Sequence, residues 1–146
     1  MGSKTGVWCC KCPKCLFTYI MLSPFLNNED LNKIFGENLF DKSELRPILD
    51  QLTGKAEIKP FDCIGTIEEV NTALVMSIKK NKHKSLPCLL RCYFDDDLYK
   101  IYERRDFKKI IGHFNTEIFL SPSHSKIIKD ALDKRFIATF EEKISK

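Results

Sequence analysis

An all-α fold, a single compact multi-helix domain with a cysteine-rich N-terminal turn, is what this 146-residue sequence predicts. Three observations predict it. Apolar residues recur at three- and four-residue spacing along most of the chain, and no period-two run is long enough for a convincing strand. Helix start and stop signals fall at the ends of those periodic stretches. The 43% apolar fraction, with eleven phenylalanines, supplies enough burial for one core at a length that suits one domain. The predicted organisation is a cysteine-rich head over residues 1–15 and a helical array over 16–146.

The elements follow in order. Met1 to Trp8 are short and polar, in the manner of the tail end of a preceding segment. A first helix starts at Pro13, which a first turn tolerates, and places Leu16, Phe17, Ile20 and Met21 on one face. Pro24 ends or kinks it. Asn27 or Asn28 caps a short helix through Phe35, stopped by Gly36. Asp41 or Ser43 caps the next, with Leu45, Ile48, Leu49 and Leu52 inward and Gly54 as the stop. Ala56 to Gly65 reads as a connector, extended over Ile58 to Phe61. Thr66 and Glu69 form a capping box that opens a helix to about Lys80. Ile67, Val70, Ala73, Leu74, Met76 and Ile78 give that helix a broad apolar face. After the basic loop Asn81 to Ser85, Pro87 starts a helix with Leu90 and Phe94 inward. Asp95 to Asp97 caps or interrupts it, and Leu98, Ile101 and Tyr102 continue the pattern. Asp106 caps a segment from Phe107 to His113. Ser121 to Ser123 precede an amphipathic helix carrying Ile127, Ile128, Leu132, Phe136, Ile137 and Phe140.

Bulk properties narrow the function classes. A net charge of +4 attracts anions weakly, so neither nucleic acid nor a membrane surface is expected as partner. The longest apolar stretch, Leu16 to Leu26, is interrupted by Thr18, Ser23 and Pro24 and falls short of the ~20 residues a bilayer span needs. Cysteines and lysines precede it without a cleavage-like site, so it is no signal peptide. The cysteine count is seven, an odd number, and four of them crowd into positions 9 to 15. A secreted disulfide framework would spread them out. The expected compartment is therefore reducing, the cytoplasm.

The head reads Trp8, Cys9, Cys10, Lys11, Cys12, Pro13, Lys14, Cys15. Two overlapping Cys-x-x-Cys steps, Cys9 with Cys12 and Cys12 with Cys15, let a tight turn aim successive thiolates at one tetrahedral zinc. Lys11 and Lys14 would lower the thiol pKa values and offset thiolate charge. Three ligands come from Cys9 (or Cys10), Cys12 and Cys15. A fourth must come from Cys63, a histidine or sequence absent here. An iron–sulfur cluster needs a fourth ligand as well. The alternative is that these thiols cap and pack the first helix as small buried hydrophobes.

The segment from Trp8 to Phe17, followed by Leu22, Ser23, Pro24, Phe25 and Leu26, resembles one in the bacterial UDP-N-acetylmuramoyl-L-alanyl-L-glutamate epimerases. Lys59, Pro60, Phe61, Asp62, Cys63, Ile64 and Gly65, with Glu68 and Glu69 after them, resemble a second signature of that family, Lys-Pro-Phe-Glu-Cys-Val-Gly. Together the two cover roughly the first half of the chain. The resemblance implies an enzyme that inverts the glutamate stereocentre of a nucleotide-sugar peptide in peptidoglycan precursor synthesis. It also implies consumption of ATP, with release of AMP and diphosphate, to activate a carboxylate and acidify its α-proton. This sequence has no Ser-Gly-Gly-x-Asp-Ser or Gly-x-x-x-x-Gly-Lys-Ser/Thr phosphate loop. ATP and Mg are therefore expected in an N-terminal adenylating domain or subunit, with this chain as the C-terminal part. Cys10 stands where a small residue such as Gly is expected.

Within that frame Cys63, just before a helix N-terminus that lowers thiol pKa, has three readings: an acid/base thiol, the fourth ligand of the head, or a buried packing residue. Glu68 is a second catalytic candidate, set against an ordinary capping role for both Glu68 and Glu69. Lys59 is a candidate to meet a cofactor phosphate or carboxylate. Lys79, Lys80, Lys82 and Lys84 read as a solvated helix end or an attractor for an acidic ligand. His83 reads as exposed, and His113 and His124 as helix-end residues. Cys88 and Cys92 read as core. The alternative class is a zinc-stabilised helical interaction module without catalytic activity.

Overall fold

The computed structural model describes residues 8–57, 65–81, 85–106 and 120–132. Regular structure among them is helical, with no strand. The helices are α1 (Pro13–Leu22), α2 (Asn28–Phe35), α3 (Arg46–Leu52), α4 (Ile67–Lys80), α5 (Cys88–Phe94), α6 (Asp97–Glu103) and α7 (Pro122–Leu132). The chain divides into two compact units, Met1–Arg105 with α1 to α6 and Asp106–Lys146 with α7. No helix among the described residues is long and apolar enough to cross a membrane.

Local signals set most of the boundaries. Pro13 occupies the first turn of α1, where its missing N–H costs nothing. The Asn27 side chain accepts the Asp30 N–H at 2.8 Å to start α2, and Gly36 ends it at φ +83°, a conformation that favours glycine. The Thr66–Glu69 capping box is fully formed. Thr66 Oγ1 accepts the Glu69 N–H at 3.1 Å and Glu69 Oε2 accepts the Thr66 N–H at 2.6 Å. Ser121 Oγ lies 2.6 Å from His124 Nδ1 at the start of α7, so His124 belongs to a helix end as predicted.

One helix starts later than its sequence predicts. Between Leu39 and Leu45 the chain makes two 3₁₀ turns, and α3 begins only at Arg46. Pro47 is the reason: without an N–H it fits only the first turn of an α-helix, which puts the start beside it rather than at Asp41 or Ser43. Ile48 consequently lies half-buried, while Leu45, Leu49 and Leu52 face inward as expected.

Helix α4 is the axis of the first unit, in contact with α1, α5 and α6. All nine residues from Val70 to Ile78 are buried, including the polar Asn71, Thr72 and Ser77. A helix enclosed on all sides needs internal partners for such groups. Asn71 Nδ2 donates to the Thr53 carbonyl at 3.0 Å and the Ile67 carbonyl at 2.7 Å, and Asn71 Oδ1 accepts the Tyr93 hydroxyl at 2.7 Å. One side chain thus joins α4 to the end of α3 and to α5. The Ser23 and Ser77 hydroxyls meet at 2.5 Å, small side chains that let α1 approach α4 closely.

Several apolar or thiol positions depart from the predicted faces. Ile67 and Ile101 are exposed, Phe94 is half-buried, and Tyr93 and Tyr99 fill the space beside α4 instead. Cys88 is exposed and Cys92 half-buried, so this i, i+4 pair is not core. On a seven-residue helix, periodicity alone leaves the buried face undetermined to within one residue, and the tyrosines take it.

Candidate functional site

The head is seated by aromatic packing. The Trp8 ring lies 4.8 Å from Phe35 at the end of α2, and Tyr19 of α1 meets Phe35 and Phe40 edge-on at 5.1 and 4.9 Å. The Tyr19 hydroxyl donates to Asn38 Oδ1 at 2.8 Å. Between Trp8 and α1 the backbone turns sharply at Cys10, whose φ is +53°. That left-handed conformation favours glycine, which accounts for the small residue expected at this position. Cys10 is buried and its thiol donates to the Phe35 carbonyl at 3.2 Å.

This turn sends Cys10 into the core and brings the other three thiols together. Cys9 Sγ lies 3.5 Å from Cys15 Sγ, and Cys12 Sγ lies 3.4 Å from it. All three sulfurs lie within 4.8 Å of one another. Among the described residues this is the only group of three or more His, Cys, Asp or Glu side chains that converges so. Of the two residues that the spacing left open, Cys9 joins this group and Cys10 does not. Cys12 is the N-cap of α1, yet its side chain makes no capping hydrogen bond. Cys9 and Cys12 are half-buried and Cys15 is buried.

The thiols differ electrostatically. The Lys11 backbone N–H, together with the Cys12 and Cys15 thiols, stabilises a Cys9 thiolate and lowers its pKa to about 7. The main chain of Lys11, rather than its ammonium, is the leading cause. Burial pushes the Cys15 thiol up to about 12, reinforced by the neighbouring Cys12 and Cys9 sulfurs. Burial also raises Cys10, with Glu37 adding to the shift. The cluster holds one readily ionised sulfur beside one that resists ionisation unless a cation joins it.

The other sequence candidates separate from this cluster. Glu68 is exposed on the first turn of α4, and its Oε1 pairs with Arg105 Nη1 at 2.6 Å. The Arg105 guanidinium lies over the Tyr102 ring at 4.3 Å. Glu69 serves the capping box. Lys59 and Cys63 lie outside the described residues, as do Lys82, His83, Lys84 and His113. Lys79 and Lys80 are not a solvated helix end. Lys79 Nζ donates to the Glu103 carbonyl at 3.2 Å, and Lys80 Nζ donates to the Ser23 carbonyl at 3.0 Å and to that of Leu26. Each cation thereby satisfies carbonyls at the C-terminal end of another helix, α6 and α1, where the helix dipole favours positive charge. Sequence reading missed these contacts because they join residues 24 and 57 positions apart.

Fold and head together define an α-helical domain built around a buried central helix and opened by a three-thiol turn. The chain belongs to the MurL C-terminal domain family, whose sequence model matches residues 1–105. That match ends at the residue where the first compact unit ends. Among similar proteins is the UDP-N-acetyl-alpha-D-muramoyl-L-alanyl-L-glutamate epimerase of Salinispora tropica, 34% identical over 80 residues, 55% of this chain and 18% of that one. Its namesake in Micromonospora sp. has the same identity and coverage. The one in Xanthomonas oryzae pv. oryzae is 36% identical over 77 residues, 53% of this chain and 17% of that one. The chain spans less than a fifth of the length of each of these relatives. No solved structure matches it.

Proposed function

We propose that this chain is the helical C-terminal domain of an epimerase acting on UDP-N-acetyl-alpha-D-muramoyl-L-alanyl-L-glutamate. The observation that carries this reading is the family match over residues 1–105, joined to three relatives that bear that enzyme's name. In this reading an N-terminal adenylating domain or subunit binds ATP and Mg, which supply carboxylate activation. The helical domain completes the site or orients the nucleotide-sugar peptide. A nucleotide-sugar substrate and ATP place the reaction in the cytoplasm.

Inversion at the glutamate α-carbon needs one group to take the proton and one to return it on the opposite face. Cys63 is the candidate acid/base thiol within this chain, and Lys59 the candidate contact to a phosphate or carboxylate. Glu68 is the weaker catalytic candidate, since it is exposed on the first turn of α4 and its carboxylate is engaged by Arg105 at 2.6 Å.

The test is a graft. The matching C-terminal segment of the Xanthomonas oryzae relative is replaced by this chain. Product hydrolysed from the UDP-muramoyl dipeptide is then analysed by chiral chromatography. The expected result is ATP-dependent appearance of D-glutamate. A soluble graft that stays inert, while the relative's own segment rejoined at the same junctions is active, refutes the proposal. In an active graft, Cys63→Ser abolishing turnover with metal content unchanged assigns the thiol to chemistry. The second reading, a zinc-stabilised interaction module, draws on the converging sulfurs. An inert graft, with tight stoichiometric zinc in the isolated chain, favours it.

A further inference from the structure

We infer that Cys9, Cys12 and Cys15 bind one mononuclear Zn²⁺ as three of its ligands, fixing the direction in which the chain enters α1. The argument begins with distance. A tetrahedral zinc with Zn–S bonds of about 2.3 Å holds its sulfurs about 3.8 Å apart. Two of the three pairs here stand at 3.5 and 3.4 Å, and the third lies within 4.8 Å. Shifts of a few tenths of an ångström in the first two pairs bring them to the zinc spacing. A disulfide needs its sulfurs at about 2.05 Å, much closer than any of these pairs. A [4Fe–4S] cluster holds each thiolate on a separate iron and a [2Fe–2S] cluster at most two on one iron, so either spreads three sulfurs further apart than ligands of one ion.

The site is held from several directions before any ion arrives. The left-handed turn at Cys10 reverses the chain so that Cys9 faces the start of α1. The Cys10 thiol and the Trp8 ring anchor that turn to Phe35. Pro13 in the first turn rigidifies the backbone between Cys12 and Cys15. Cys12 occupies a capping position without using its sulfur for the cap, and that sulfur points at Cys15 instead. Packing alone gives no reason for three polarisable, ionisable groups to share one point at the half-exposed edge of a core. A divalent cation does. Thiols bind it as thiolates, so each Zn–S bond replaces an S–H proton released to solvent or an existing thiolate charge. Three thiolates and one Zn²⁺ leave a net charge of −1, beside the exposed Lys11 and Lys14.

The experiment uses the full chain, purified under reducing conditions and stripped with a chelator. Trp8 is the only tryptophan and adjoins Cys9, so its fluorescence reports the head specifically. Zn²⁺ should change that fluorescence with saturation at one equivalent. Co²⁺ in its place should give visible bands of a tetrahedral ion and ultraviolet sulfur-to-cobalt bands of at least three thiolates. Cys9→Ser, Cys12→Ser and Cys15→Ser should each weaken Zn²⁺, measured against a chromogenic chelator, by on the order of 100-fold or more. Cys88→Ser should leave it within about threefold, and Cys12→His, which restores a zinc ligand, should recover much of the loss. An octahedral cobalt spectrum, no saturable binding by the unmutated chain, or equal loss from Cys88→Ser overturns the inference. So does an iron–sulfur absorption spectrum in protein purified without air.

Discussion

Asn71→Ala tests whether the fold hangs on α4 as its geometry implies. The side chain is fully buried and makes three hydrogen bonds, to the Thr53 carbonyl, the Ile67 carbonyl and the Tyr93 hydroxyl. Ile67 sits in the first turn of α4 and keeps the intrahelical partner that its carbonyl has by position. The Thr53 carbonyl and the Tyr93 hydroxyl lose theirs in places that water does not reach easily. Each orphaned buried group costs about 1–3 kcal/mol, so the pair costs about 4 kcal/mol. At this chain length that corresponds to a fall in melting temperature of roughly 15 °C. Urea unfolding followed by Trp8 fluorescence, which lies in the same compact unit, measures it. Tyr93→Phe alone should cost about 1–2 kcal/mol, because it strands only Asn71 Oδ1. The two substitutions share a hydrogen bond, so the double variant should fall short of their sum by roughly 1 kcal/mol. A loss below 1 kcal/mol for Asn71→Ala, or strict additivity with Tyr93→Phe, refutes the role given to this residue.

Thr72 Oγ1 is buried with no hydrogen-bond partner among the described residues, so the isosteric Thr72→Val should raise stability by about 1 kcal/mol in the same urea assay. A Cβ on Gly65, at φ +40°, would lie 2.7 Å from the Phe17 ring, whereas one on Gly36, at φ +83°, meets nothing within 4 Å. Gly36→Ala should therefore cost about 1 kcal/mol for backbone strain alone, and Gly65→Ala clearly more; equal losses would contradict the contact. Asp96 caps α6 and pairs with Lys55, 41 residues away. Burial pushes its carboxyl up, but the Lys55 ammonium and the Leu98 N–H outweigh burial and hold its pKa below the ordinary value. A lowered folded pKa means stability present above the ordinary carboxylate range and lost as pH falls through the folded value. The unmutated chain should thus lose more stability than Asp96→Asn on acidification from about pH 5 to about pH 2, and parallel curves would disprove the linkage.

What the sequence made legible was whatever neighbouring residues decide. Pro13, Gly36 and the Thr66–Glu69 box mark helix ends by chemistry confined to one turn, and the structure places the ends there. The Cys-x-x-Cys steps likewise brought three sulfurs together, although spacing could not tell Cys9 from Cys10. That choice depends on a backbone dihedral set by anchoring to Phe35, 25 residues away from Cys10. Burial was less legible. Asn71 and Ser77 lie outside the apolar face that the periodicity defines, yet both are enclosed, because α4 has neighbours on every side. Lys79 and Lys80 read as solvent-facing for the same reason. Only tertiary packing brings the ends of α6 and α1 within their reach. Exposed Cys88 shows the converse, since a cysteine has no periodic signature of its own.

The contact between Phe17 and Gly65 bears on how the two sequence signatures relate. Phe17 follows the cysteine head within α1, and Gly65 closes the Lys-Pro-Phe-Asp-Cys-Ile-Gly segment just before the capping box. Fold geometry brings them into van der Waals range across 48 residues of sequence, so closely that any side chain at 65 would strike the ring or the capping Glu69. Glycine at that position thus serves two ends at once: a left-handed turn into α4 and room for an aromatic ring from α1. The cap of α4 and the helix that carries the cysteines are therefore parts of one packed unit. Loosening the head should be felt at the start of α4, even where the thiols themselves take no part in the chemistry.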